Sequence, residues 1–186
     1  MTKPFQVLSL TGTGFTEKKG FNDLLAVAEL LKDEPIHFIV AGQGKPPKIP
    51  KGLKVTCCSN QNDEQVQDLL SGADLYLHLS HCEGLSMSMI EALKAGLPII
   101  AYDVGGNREM VKETPRDGWS GINGFLETLG ASPSVTAFWV GECIKIVERN
   151  PQVSQKLGTN SRRLYEEKFT SEQHVNELLR IYGGAE

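Results

Sequence analysis

Long hydrophobic runs are missing from this 186-residue sequence. No apolar stretch approaches the ~18 residues of a bilayer-crossing helix, so no membrane span is expected. The first residues, Met1-Thr2-Lys3-Pro4-Phe5, lead into a short apolar run and then Gly and Lys. They lack the hydrophobic region and cleavage site of a secretory signal. An excess of positive charge is missing too. Lys and Arg number 19 against 23 Asp and Glu, a net charge of −4 at pH 7. That speaks against a broad nucleic-acid-binding face, while a local basic cluster can still hold phosphate. Cysteine is scarce, at 57, 58, 82 and 143, and no C-x-x-C spacing offers a zinc site. Adjacent Cys57 and Cys58 suit no structural disulfide, so the four are expected to be reduced thiols in or near the core of a cytoplasmic protein. Linkers, internal repeats and low-complexity tracts are absent. The 40% hydrophobic and 23% charged residues are ordinary globular shares, which excludes a disordered, fibrous or coiled-coil chain. The length suits one domain.

What is present alternates between two periods. Residues 5–10 form an apolar run ending in Thr11-Gly12-Thr13-Gly14, a strand feeding a loop. Phe21, Leu24, Leu25, Ala28 and Leu31 follow the spacing of an amphipathic helix. Strands are predicted over 36–41, 53–58, 74–79, 98–102 and 121–126. The stretch 45–54, with three prolines and four lysines, is a surface loop. Asn62 with Gln65 marks a helix start, and Val66, Leu69 and Leu70 its apolar face. A helix over 88–95 ends at Gly96, and Gly105-Gly106-Asn107 opens a short one. From about 134 to 182 the pattern is three helices, broken at Asn150-Pro151 and Phe169-Thr170. In the last of them Val175, Leu178, Leu179 and Tyr182 form a stripe.

Repeated strand–helix–strand units imply an α/β fold. Its expected form is a doubly wound, Rossmann-like parallel sheet of about six strands, with helices on both faces and a helical C-terminal segment. Such sheets bind ligands beyond the carboxyl ends of their strands. The loops to search are therefore 11–20, 41–45, 58–62, 80–88 and 103–107.

The first of these loops fails two phosphate motifs. A G-x-G-x-x-G string starting at Gly12 meets Glu17 in third place, and no P-loop string exists. What remains is a glycine loop with Lys18-Lys19-Gly20 at a helix entrance, where backbone N–H groups and a lysine suit a diphosphate. Two solvated lysines on a glycine turn explain the same letters. The fourth loop says more. Glu83 precedes, and Glu91 follows, a run of backbone donors from Gly84 to Ser88 at a helix N-terminus. One carboxylate on each side of an amide cluster fits a nucleotide sugar: sugar hydroxyls, two phosphates, ribose hydroxyls. Ser88-x-x-Glu91 also reads as a capping box, with Glu83 a turn residue. A glycosidase carboxylate pair is a further, weaker option. His78 reads as structural and His81 as a residue that lines a pocket edge. Trp119 and Trp139 read as packing residues.

Residues 83–101, from Glu83-Gly84-Leu85-Ser86 through Ile90-Glu91-Ala92 to Gly96-Leu97-Pro98-Ile99-Ile100-Ala101, form one long motif. Asp103-Val104-Gly105-Gly106-Asn107-Arg108-Glu109 follows it. Together they resemble the nucleotide-sugar-binding core of the retaining glycosyltransferases of family 4. Glu17-Lys18-Lys19-Gly20-Phe21, Val40-Ala41-Gly42-Gln43-Gly44 and Ser71-Gly72-Ala73-Asp74-Leu75 resemble flanking pieces of the same family. The resemblance covers nearly the whole chain and implies the C-terminal domain of a two-domain GT-B architecture. It implies catalytic roles for Glu83, at the hydroxyls of the transferred sugar, and for Lys19, at a phosphate. Gly14, Lys18, Gly84, Leu85, Ser86, Met87 and Ser88 would complete the binding site, with Glu91 at the ribose. No metal and no cofactor are implied beyond the nucleotide-diphosphate sugar itself, and no D-x-D string is present.

Two departures from that family shape the expectation. No arginine precedes Arg108, whereas the family carries one five residues before its loop lysine, where this chain has Gly14. Losing one charge-assisted hydrogen bond to a diphosphate costs roughly 1.5–3 kcal/mol unless Lys18 replaces it. The other departure is extent: residues 1–186 resemble only the sugar-donor half, with the acceptor domain absent. The chain is expected to bind a nucleotide sugar and to need an N-terminal domain or partner subunit for transfer. The alternative is a non-catalytic binding or regulatory module. No nucleic-acid partner is expected. The expected location is the cytoplasm, with the inner face of a membrane left open through the lysines at 45, 48, 51 and 54.

Overall fold

In a computed structural model that describes residues 3–112, 122–130 and 132–183, the apolar runs become strands of one sheet. They are β1 (Phe5–Gly12), β2 (Ile36–Gly42), β3 (Val55–Ser59), β4 (Leu75–His78), β5 (Ile99–Tyr102) and β6 (Gly124–Glu127). Every pairing is parallel, and the order is β3-β2-β1-β4-β5-β6. The helices are α1 (Phe21–Leu30), α2 (Asp63–Gly72), α3 (Met87–Ala95), α4 (Asn107–Met110), α5 (Pro133–Arg149), α6 (Pro151–Lys168) and α7 (Ser171–Gly183). The doubly wound, Rossmann-like sheet with a helical C-terminal segment is therefore what the chain forms.

Alternation explains why the strands read as unbroken apolar runs. Val7, Leu75, Leu77 and Ile100 point into one core with Val27, Val140 and Ile144. Their neighbours Leu8, Tyr76 and Ile99 point into the other with Met89, Ala92, Leu93 and Leu164. Both faces are covered, so both parities are hydrophobic. Strand order reverses between β1 and β4, where Val7 pairs with Leu75 and Leu8 with Tyr76. Binding sites of such sheets form beyond the carboxyl ends at that reversal.

Local signals set the helix ends. Asn62 and Gln65 make the reciprocal capping box at the start of α2. Gly96 takes the left-handed conformation that closes α3. The breaks at Asn150-Pro151 and after Phe169 separate α5, α6 and α7 as expected. Three details differ. The third strand begins at Val55 rather than 53, and the sixth at Gly124, with residue 121 outside the described set. Helix α3 begins one residue before Ser88, with Ser86 at its N-cap. Trp119 also lies outside the described residues, while Trp139 packs edge-on against Phe125. Cys143 is buried and Cys57 and Cys58 are half-buried, but Cys82 is exposed on the loop before Glu83.

Candidate functional site

A cleft of about 830 Å³ opens at the reversal of strand order. Its walls come from the loops after β1, β2, β3 and β4 and from the first turns of α2 and α3. Loop 11–20 delivers Lys19. Thr16 caps the single turn Glu17–Lys19 through its hydroxyl, and Gly20 ends it in the left-handed region at φ 71°. A Cβ on Gly20 would stand 1.9 Å from the Leu79 carbonyl oxygen, so only glycine lets this turn lie against the end of β4. The His81 amide then donates to the Lys18 carbonyl at 2.9 Å. The two loops are joined, and Lys19 Nζ meets Glu83 Oε1 at 2.7 Å.

Glu83 is held from behind as well. Gly106 N donates to the Gly84 carbonyl at 2.8 Å, and a Cβ on Gly105 would stand 1.9 Å from the Glu83 carbonyl oxygen. Gly105 also has φ 52°, which favours glycine. The glycine pair after β5 is thus the backing of the Glu83 loop. The His78 side chain, then Lys19 and Ser80, hold the Glu83 carboxyl down at about 2 against the opposing effect of burial.

Next along the chain, Ser86 and Ser88 carry a chain of hydroxyls. The buried Tyr76 hydroxyl donates to Ser88 Oγ at 2.8 Å, and Ser88 Oγ lies 3.0 Å from Ser86 Oγ. Ser88 is therefore engaged with β4, not with the helix N-terminus, and no side chain caps the first-turn amides of α3. The capping-box explanation of Ser88 and Glu91 does not hold. Glu91 lines the cleft one turn further on. Burial first, and the nearby Asp63 charge second, push its carboxyl above the ordinary value.

Of the residues singled out in the sequence, Glu83, Lys19, Leu85, Ser86, Met87, Ser88 and Glu91 all line this one cleft. Gly14, Lys18 and Gly84 are not part of its lining. Gly14 is buried behind Gly12 and Thr13, Lys18 is exposed on the outer side of its turn, and Gly84 is exposed with its carbonyl turned to Gly106. Among the described lining residues Lys19 is the one lysine or arginine, against the carboxylates of Glu83, Glu91 and Asp63. The two histidines exchange places relative to expectation. His78 is 3% exposed and lines the cleft, whereas His81 turns away to Asp23, with Nε2–Oδ2 2.6 Å, and Tyr102 donates to the same oxygen at 2.9 Å. Strand parity is the reason: His78 shares the face of Tyr76, which meets Ser88. Thr11 and Gln43, from loops the sequence had marked, also line the cleft, as do Asn60, Gln61, Asp63 and Gln67, which were not singled out as site residues. Asn60 has φ 53°, and its Oδ1 accepts from the Gly44 amide, which ties the loops after β2 and β3 together.

The family model of glycosyl transferases group 1 matches residues 7–129, about two thirds of the chain. The chain belongs to the group 1 glycosyltransferases. A 2-deoxystreptamine N-acetyl-D-glucosaminyltransferase of Niallia circulans is 27% identical over 180 residues, covering 91% of this chain and 43% of its own. The chain thus spans less than half the length of this curated relative. Among solved structures, the C-terminal domain of the group 1 glycosyltransferase LpcC from Francisella tularensis superposes with a TM-score of 0.73. It is 16% identical, covering 90% of this chain and 88% of that one. HepE of Anabaena, in complex with UDP and glucose, gives a TM-score of 0.71 at 21% identity, covering 96% of this chain and 48% of that one. Both share the fold of this group 1 chain.

Proposed function

We propose that this chain is the nucleotide-sugar-binding domain of a retaining, family 4 glycosyltransferase of GT-B type. The observation that carries the reading is the order of groups along one cleft: Glu83 with Lys19, then the uncapped N-terminus of α3, then Glu91. A diphosphate fits between the carboxylates because Lys19 and the first-turn amides favour anions. Glu83, fully ionised at neutral pH, accepts hydrogen bonds from the hydroxyls of the transferred sugar, and Glu91 accepts from the ribose. Leu85 and Met87, exposed at the rim, border the sugar side.

In transfer, the sugar–phosphate bond breaks and negative charge grows on the departing diphosphate. Lys19 and the α3 amides are fixed where that charge develops, which lowers the barrier electrostatically. The chemistry asks for no cofactor besides the sugar donor. An N-terminal acceptor domain or a partner subunit would close the cleft, exclude water and present the acceptor. On this reading residues 1–186 supply the binding half, and transfer waits on that domain or partner. HepE, a structural neighbour, was captured with UDP and glucose, which supports a uridine nucleotide as the first ligand to try. Among the described residues no helix is long and apolar enough to cross a membrane.

Calorimetric titration with UDP-, GDP- and ADP-sugars tests the reading, with Glu91→Ala as control. Binding of one nucleotide class that is weakened about tenfold or more in the control is expected. Wild-type binding of none of them overturns it.

A further inference from the structure

His78 lies at the end of β4 and has no place in the scheme above. Its ring stacks on Tyr76 with centroids 6.0 Å apart and planes 18° off parallel, which fixes the imidazole. Nε2 is buried and makes no hydrogen bond. It points toward Glu83 Oε1 from 3.5 Å, the oxygen that Lys19 already holds at 2.7 Å. A buried polar nitrogen without a partner is costly, so its position calls for a partner in some working state. In the empty cleft solvent does not reach this atom. The carboxylate it faces is that of Glu83.

Lys19 has two claimants in the reading of the cleft proposed above, on which this inference rests. In the empty site its ammonium belongs to Glu83, and in the loaded site a diphosphate would draw it away. Glu83 would then lose its 2.7 Å ion-pair partner while aimed at a sugar. We propose that His78 is a positioning residue for Glu83: as a diphosphate pulls Lys19 out of its ion pair, the His78 Nε2–H closes on Oε1 and keeps the carboxylate in place for the sugar hydroxyls. Lys19 and His78 thus take turns on one oxygen, and the site exchanges an internal ion pair for a ligand without leaving a carboxylate unheld.

Affinities of the whole chain for UDP, GDP or ADP, whichever wild type binds, and for its glucose and N-acetylglucosamine conjugates test this. His78→Leu is expected to leave the bare diphosphate within about twofold and to weaken a sugar conjugate about tenfold. His78→Asn, which restores an N–H donor, is expected to recover most of that loss. Equal weakening of diphosphate and conjugate, or no selective weakening, overturns the proposal. If wild type binds no diphosphate at all, the reading of the cleft falls and this inference with it. A crystal structure of Lys19→Met gives a second readout that needs no ligand. With the ammonium gone, Nε2 and Oε1 should close to about 3 Å. A Glu83 side chain that swings away from His78 overturns the exchange.

Discussion

Glu83 and Glu91 line the same cleft and respond to protons in opposite senses. Glu91 has its carboxyl raised by burial and by Asp63, so folding favours its protonated form relative to the unfolded chain. A group of that kind stabilises the fold below its unfolded value and loses that contribution as pH rises through the folded one. At pH 7 an ionised Glu91 therefore works against the empty chain. Glu91→Gln is expected to melt at the same or higher temperature than wild type, a gain of up to about 1 kcal/mol, while its nucleotide affinity falls. Thermal denaturation beside calorimetry reads both. Glu83 behaves in reverse. Its carboxyl sits at about 2, below the ordinary 4.5, so its contribution is full above 4.5 and is lost as pH falls through about 2. Glu83→Gln should cost about 1–3 kcal/mol at pH 7, and the gap to wild type should close as denaturation is repeated from pH 4.5 down toward 2. The two carboxylates were legible as a pair because their spacing brackets a helix start. The histidines were not, because the choice between them depends on which face of β4 His78 occupies and on where the following loop turns His81. The hydrogen bond from Tyr76 to Ser88 marks which face that is, and it is not visible in the letters.

At the scale of elements, the strands were readable because both of their faces are buried. Helix starts were readable where a side chain does the capping, as at Asn62 and Thr170. The start of α3 was misplaced by one residue because Ser88 spends its hydroxyl on Tyr76 and Ser86. In α7 the stripe of Val175, Leu178, Leu179 and Tyr182 does form one helix. Yet none of its residues is buried, since periodicity reveals a face and not what covers it. The short segment after β5 was read as a helix opening, while its larger part is support. Gly105 and Gly106 lie where any side chain would strike the backbone of Glu83 and Gly84. Gly105→Ala is expected to destabilise the chain by about 1–3 kcal/mol and to displace the Glu83 loop, so nucleotide-sugar affinity falls with it. Chemical denaturation and calorimetry on the variant measure the two losses. Unchanged stability would mean that the loops part without cost.

For the whole molecule, parallel strands and returning helices were legible from alternation alone, and so was the end of the sheet that carries the cleft. Which polar residues close the far wall was not. Gln43 and Gln61 reach the cleft from the loops after β2 and β3, which Asn60 and Gly44 tie together, and Gln67 reaches it from α2. The same architecture bears on how an anion arrives. Every helix that follows a strand presents its amino end to the carboxyl edge of the sheet, so the attractive partial charges are concentrated at one mouth. The chain as a whole carries a net charge of −4, and three carboxylates stand in the cleft itself. A diphosphate approaching from afar meets repulsion, and only within a few ångströms does it meet the amides and Lys19. Salt shortens the reach of the repulsion, with a Debye length of about 30 Å at 0.01 M falling to about 8 Å at 0.15 M, while the close contacts are screened far less. The capture rate of a nucleoside diphosphate, followed by stopped flow, should stay level or rise as salt is added, where a basic phosphate site would slow steeply.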